Sequence, residues 1–233
     1  MNTASPSVRQ DFARFLRSPR LLTPSGLRSP EARRAWAAML ALHLGVLLLI
    51  VLPLIKGWQV LFGLPSPDAF GKIPPMLLVP AVVLVAPLAE EIIFRGWQTG
   101  RPRALWLTLS AALGIAAIVT AERAGSDLGV VTTFFGGLLI SIGGWVAMRK
   151  MRAVPRWFAA GFPAIFYLVA GGFALAHLGN YPAFSLVAVP MVLPQLWAGL
   201  TLGYMRQRFG LAASILAHAC ANGAAIALAF VIG

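Results

Sequence analysis

Seven apolar runs dominate the chain, and each is long enough to cross a lipid bilayer as a helix. A membrane-spanning helix needs about 20 apolar residues. Charged residues make up only 11% of the sequence, whereas soluble domains carry about 25%. The sequence therefore predicts an all-α, polytopic integral membrane protein, a helical bundle of about seven transmembrane helices. The predicted spans are residues 36–55, 75–98, 104–121, 129–148, 157–179, 184–204 and 211–231.

Basic residues lie in short clusters between these runs and in an Arg-rich stretch before the first one. The net charge is +12, but the clusters lack the interleaved aromatic residues of a single-strand nucleic-acid groove. We therefore expect the lipid bilayer, and no nucleic acid, as a partner. The chain is predicted to divide into a basic cytoplasmic arm, residues 1–35, and a single transmembrane domain, residues 36–233. The arm is expected to contain a short amphipathic helix on the membrane surface.

The charge asymmetry between alternate loops predicts the orientation of the chain. Of the 19 Lys and Arg residues, fifteen fall on the side of the N-terminus, and Arg95 lies inside a span. The opposite side has only Lys56, Lys72 and Arg123. We expect a cytoplasmic N-terminus and an external C-terminus, in a bacterial inner (plasma) membrane.

The second run ends in charged residues, within the sequence APLAEEIIFRG. Charged groups at membrane depth are costly unless they are paired or hydrated, and so they indicate function. Glu91 and Arg95 are four residues apart, and such residues share one face of a helix. We expect them to form an ion pair, which leaves Glu90 on another face, available for acid–base chemistry.

Histidines with the same four-residue spacing occur in two later spans, as Phe173 with His177 and as His218 with Asn222. With Glu90, they supply a base, an imidazole partner and donors for an oxyanion. Two histidines and a carboxylate can instead hold a divalent metal ion. The structural alternatives are an ion-pair cluster and hydrogen bonds that join neighbouring helices.

His43 and Gln195 are two further polar side chains at membrane depth, and they are weaker candidates for a site. Cys220 is two residues from His218, which places it on the opposite face of the helix. We therefore expect Cys220 to be a packing residue and not a nucleophile.

The segments EEIIFR, FALAH and HACAN match, in order, the motifs EExxxR, FxxxH and HxxxN. The chain thereby resembles the CPBP intramembrane proteases, the family of the type II CAAX prenyl endopeptidases and the bacterial Abi proteins. The context GLTLGYMRQRFGLAASILAHACANG, with paired glycines, a basic turn and a closing helix, is also similar to that family. The resemblance covers about residues 75–225, which would be the protease core.

The resemblance implies hydrolysis of a peptide bond inside a membrane-embedded cavity. Glu90 and His177 would activate a water molecule, and His218 with Asn222 would stabilise the oxyanion. The supporting residues would be Glu91, Arg95 and Phe173. We favour no metal cofactor because the chain has no HExxH motif. The alternative is a divalent metal such as zinc, held by Glu90, His177 and His218.

The substrate implied by the resemblance is a membrane-proximal peptide or protein. Candidates are a lipidated or CAAX-like C-terminus, a bacteriocin or pheromone precursor, and a C-terminal sorting tail. The alternative function is non-proteolytic: a membrane scaffold or immunity protein, or a proton-coupled transporter that uses the buried Glu and His residues.

Overall fold

The computed structural model describes residues 7–68, 71, 73–182 and 185–232. Within these ranges the chain is helical and contains no strand, which confirms the predicted fold class. The α-helices are α1 Val8–Arg17, α2 Pro30–Val46, α3 Leu52–Leu61, α4 Pro75–Pro80, α5 Ala86–Arg95, α6 Pro102–Arg123, α7 Asp127–Ala147, α8 Arg156–Ala176, α9 Leu193–Phe209 and α10 Leu211–Ile232. Outside the described residues lie residues 1–6 of the predicted arm, Lys72, residue 184 of the sixth predicted span and residue 233.

Among the described residues, seven helical segments are long and apolar enough to cross a membrane, the number that the sequence predicts. They are Pro30–Leu61, Pro75–Arg95, Pro102–Arg123, Asp127–Lys150, Arg156–Asn180, Leu186–Phe209 and Leu211–Val231. In the first two segments a short π-helical turn interrupts the α-helix. These turns are Leu47–Val51, between α2 and α3, and Ala81–Val85, between α4 and α5.

The first membrane-spanning helix begins at Pro30, six residues before the predicted start of the first span at residue 36. The Ser29 side chain accepts a hydrogen bond from the backbone N–H of Ala32, and Pro30 occupies the first helical position. Both are helix-start signals. The helix therefore begins in a polar stretch that hydropathy alone assigns to the arm.

Helix α1 confirms the short helix expected in the arm, but its apolar face is not turned to lipid. Phe12 and Phe15 are 5% and 3% exposed. The ring of Phe12 contacts Tyr204 at a centroid distance of 5.2 Å, and the ring of Phe15 contacts Phe166 at 5.1 Å. The expected docking on the membrane surface is thus replaced, for this face, by packing against α8 and α9.

The chain forms two compact units. The first comprises the residues up to Arg95 and those from Phe162 onward, and the second is Gly96–Gly161. In the second unit, α6 and α7 form a hairpin whose turn contains Gly125, at a φ of 66°. Trp106 donates its indole N–H to the carbonyl of Ser141 at 3.2 Å, and Gly144 leaves room for that indole ring. The prediction of one transmembrane domain stays a prediction.

In the first unit, α8 and α9 cross closely at Gly199 and Gly203. A Cβ atom at Gly199 would lie 3.0 Å from both the Cα and the carbonyl oxygen of Ala170. At Gly203 it would lie 2.8 Å from the ring of Phe166. Small residues that let helix backbones approach are typical of membrane helix pairs. This crossing fixes α8, which ends at the FALAH motif, against α9.

Gly199→Ala is expected to lower the free energy of unfolding by about 1–3 kcal/mol, because overpacking against a backbone cannot be relieved by a side-chain rotation. The measurement is thermal unfolding of the protein in detergent. Gly172→Ala is the matched control, since a Cβ atom there meets nothing within 4 Å. Equal unfolding midpoints for the two variants would contradict a close crossing at Gly199.

Candidate active site

Glu91 and Arg95 form the expected ion pair on one face of α5. Arg95 Nη1 donates to Glu91 Oε1, and both side chains are 0% exposed. The guanidinium of Arg95 also lies over the ring of Phe173, 4.6 Å from its centroid. A buried charge requires compensation of this kind. The pair therefore sets the position of α5 within the core of the first unit.

The Glu91 carboxylate also accepts hydrogen bonds from α10. His218 Nδ1 lies 3.0 Å from Glu91 Oε1, and the Ser214 hydroxyl donates to Glu91 Oε2. Because an ionised carboxylate only accepts hydrogen bonds, the Nδ1 atom of His218 carries a proton and Nε2 faces away from Glu91. Glu91 thus orients His218.

Ser214 was not among the predicted site residues. It is fully buried, and its position one helical turn before His218 places both residues on one face of α10. That spacing is the signal that could have found it. A serine alone in an apolar helix gives no indication of its partner, since such hydroxyls also bond to the carbonyl four residues earlier.

His177 lies beside Glu90, as the predicted site requires. Its Nε2 atom is 3.8 Å from Glu90 Oε2, and its Nδ1 atom is 2.8 Å from the carbonyl oxygen of Phe173. A carbonyl only accepts hydrogen bonds, so Nδ1 is the donor and Nε2 of the neutral ring is an acceptor. The FxxxH spacing thus fixes the tautomer of His177.

His218 brings a second imidazole nitrogen to Glu90. Its Nε2 atom is 3.7 Å from Glu90 Oε2. That oxygen is buried, although the whole side chain is 27% exposed, and it has no hydrogen-bond partner within the described part of the chain. Phe173 packs edge-on against both imidazoles, with centroid distances of 4.7 Å and 6.0 Å. The structure therefore brings Glu90, His177 and His218 together.

Asn222 is on the same helix face as His218, one turn later. Its Nδ2 atom donates to the carbonyl oxygen of Val82 at 2.8 Å. Because Val82 offers only an acceptor there, the amide nitrogen must face it. One N–H of Asn222 is engaged in this bond, and the second N–H is not.

The weaker candidates lie elsewhere. His43 is fully buried, and its Nδ1 atom is 2.8 Å from the Thr201 hydroxyl, which donates in turn to the carbonyl of Trp197. His43 thus links the first span to α9. Gln195 and Cys220 are half-buried, and neither contacts the group around Glu90 in any described interaction.

Glu90, His177 and His218 are also the donor set that was suggested for a metal ion. Across residues 7–68, 71, 73–182 and 185–232, no group of three or more His, Cys, Asp or Glu side chains is arranged to hold one. The bond between His218 Nδ1 and Glu91 leaves the Nε2 atom of the same ring facing Glu90, at 3.7 Å from its Oε2 atom.

Comparison with known families agrees with the motifs and their geometry. A family model described as type II CAAX prenyl endopeptidase Rce1-like matches residues 72–224, about two thirds of the chain. The chain belongs to this family. The Rce1-like range contains Glu90, His177, His218 and Asn222 and excludes α1 and the first span. Neither the search of curated proteins nor that of solved structures gave a significant match.

Membership in the Rce1-like family confirms the resemblance derived from the three motifs. It supports an intramembrane CAAX-type endopeptidase in general. Together with the seven apolar helices, it identifies the chain as an integral membrane protein.

Proposed function

We propose that the protein is an intramembrane endopeptidase that hydrolyses a peptide bond of a membrane-proximal substrate. Glu90 and His177 activate the attacking water, and His218 with Asn222 stabilises the oxyanion. The observation that carries this proposal is the pair of facing acceptors, Glu90 Oε2 and His177 Nε2, separated by 3.8 Å.

Two acceptors that face each other need a donor of two protons between them. Water is such a donor, and polar atoms more than 3.5 Å apart are commonly bridged by it. A water held there donates one proton to Glu90 and one to His177, and its lone pair remains free. That orientation is the one required for attack on a carbonyl carbon.

The proposed reaction balances without a cofactor. The water oxygen bonds to the scissile carbonyl carbon while one water proton passes to Glu90. The C–N bond then breaks, and the proton returns from Glu90 to the leaving amine. The products are a new carboxyl terminus and a new amino terminus.

Charge develops on the carbonyl oxygen during this attack, and two donors are available for it. The second N–H of Asn222 is one, because only the first is bonded to Val82. His218 is the other proposed donor: its Nδ1 atom is directed at Glu91, and its Nε2 atom is the one available to the oxyanion. Each such donor typically contributes a factor of about 10²–10³ to the rate.

The substrate we propose is a peptide that enters from the lipid or its interface. A lipidated or CAAX-like C-terminus fits the family, and a C-terminal sorting tail is the other candidate. The N-terminus is proposed to be cytoplasmic and the C-terminus external, in a bacterial inner membrane, since fifteen basic residues lie on the N-terminal side.

The test is cleavage of membrane-proximal peptides by the purified protein in detergent, with and without a chelator. The panel includes a prenylated CAAX peptide and the same peptide without its lipid. We expect cleavage that the chelator does not abolish. Activity that is lost to the chelator and restored by zinc would instead make Glu90, His177 and His218 metal ligands. If no peptide is cut and Glu90→Gln still functions in cells, the protein is a scaffold.

A further inference from the structure

Pro87 lies at a special position in the helix that carries Glu90. In the π-helical turn Ala81–Val85, the N–H of Ala86 bonds to the carbonyl of Ala81, five residues earlier. If the same five-residue spacing continued, the backbone N–H of residue 87 would bond to the carbonyl of Val82. Proline has no backbone N–H. The Val82 carbonyl therefore loses its helical partner.

The carbonyl that Pro87 leaves free is the one to which Asn222 donates, at 2.8 Å. In a membrane helix, carbonyls freed by proline are satisfied by side chains of neighbouring helices. Pro87 is itself buried, and the bond between Asn222 and the Val82 carbonyl is partly buried. Because Pro87 has no backbone N–H, the Val82 carbonyl is available to accept the hydrogen bond from Asn222 on α10.

Within the described residues, this bond is one of three that join α10 to the helical segment Pro75–Arg95, which carries Glu90 and Glu91. The other two link His218 and Ser214, earlier on α10, to Glu91. Asn222 can rotate about its side-chain torsions unless its first N–H is held. Once Val82 holds it, the direction of the second N–H is set.

We propose that Pro87 is a positioning residue that acts through Asn222. Because Pro87 offers no backbone N–H to Val82, the Val82 carbonyl remains available to Asn222. The bond orients the Asn222 amide and links α10 to the helical segment that carries Glu90 and Glu91. The effect on catalysis rests on the proposed function, whereas the coupling between the two residues does not.

The coupling is tested by stability, in detergent, with no need for a substrate. Asn222→Ala is expected to lower the unfolding midpoint of the otherwise unchanged protein, because the Val82 carbonyl is left without a donor. In the Pro87→Ala background, the backbone N–H of residue 87 supplies that donor. There Asn222→Ala is expected to change the midpoint little. Pro53→Ala is the matched control background, since Pro53 follows the π-helical turn Leu47–Val51 at the same offset.

The catalytic consequence is tested by kinetics on a cleaved peptide. Pro87→Ala is expected to lower kcat by about tenfold with little change in KM, because small displacements of catalytic groups have effects of this order. Its unfolding midpoint should be unchanged or higher, since the helix gains a donor. In the Asn222→Ala background, Pro87→Ala should cause no further loss.

Three results would overturn the proposal. The first is an equal effect of Asn222→Ala on the unfolding midpoint in the Pro87→Ala, Pro53→Ala and unchanged backgrounds. The second is full kcat in Pro87→Ala. The third is a parallel loss of kcat and stability in Pro87→Ala, which would make Pro87 a structural residue. If the unchanged protein cleaves no peptide, the proposed endopeptidase function is contradicted. The comparison of unfolding midpoints would still show whether Pro87 and Asn222 are coupled.

Discussion

Glu90→Gln is expected to lower kcat for peptide cleavage by about 10²–10⁴-fold, the usual contribution of a positioned general base. Gln keeps the shape of the side chain but cannot take a proton from water. Stability should change little, because the Glu90 side chain is 27% exposed and its buried Oε2 atom has no hydrogen-bond partner among the described residues. The measurement is kcat, with the unfolding midpoint of the same preparation.

The matched control for this variant is Glu122→Gln, an exposed residue in α6. It removes the same charge from the chain and should leave kcat unchanged. If Glu90→Gln cleaves as fast as the unchanged protein, Glu90 is not the base. Retained function of Glu90→Gln in cells, without any cleavage, would favour the scaffold.

Glu91→Ala and Arg95→Ala are each expected to reduce the free energy of unfolding by about 3–5 kcal/mol, because each leaves a buried charge without its partner. Both side chains are 0% exposed. Glu91→Ala also removes the acceptor of His218 and Ser214. The measurement is the yield of folded protein in detergent and its unfolding midpoint.

A double variant distinguishes charge pairing from simple loss of volume. Arg95→Met combined with Glu91→Gln removes both charges, and Gln keeps an acceptor for His218. It should be less destabilised than Arg95→Met alone. Normal yield and full activity of both Ala variants would contradict the assignment of Glu91 as the structural glutamate and Glu90 as the chemical one.

The arrangement of the motif residues could be predicted from spacing because a helix repeats on a known period. The four-residue spacing of Glu91 and Arg95 places them on one face, and the ion pair is found there. Composition likewise predicts the spans, since no soluble fold buries so much apolar surface. Which residues share a helix face and which segments are apolar depends only on neighbouring positions in the sequence, so both can be predicted from it.

The contacts between helices could not be predicted in the same way. Whether His177 reaches Glu90 depends on where α8 ends, and this helix gives way to a 3₁₀ turn at His177–Asn180. The π-helical turn before Pro87 changes the register of the glutamate helix, and no periodicity in the sequence marks it. The partner of Ser214 depends on how α5 and α10 pack.

The N-terminal arm shows the same limit. The position of Phe12 and Phe15 among polar residues predicts an amphipathic helix, and α1 is found there. The spacing of apolar residues in α1 does not indicate whether lipid or protein covers the apolar face of this helix. In this chain Tyr204 and Phe166 cover it.

The most direct test of the central claim, a water activated by Glu90 and His177, is a single turnover of peptide cleavage in water labelled with ¹⁸O. Mass spectrometry then locates the label in both the product and the enzyme. We predict label in the new carboxyl terminus of the product and none in Glu90. Label in the side chain of Glu90 would show that Glu90 attacks the peptide itself through a covalent acyl intermediate, and it would contradict the account.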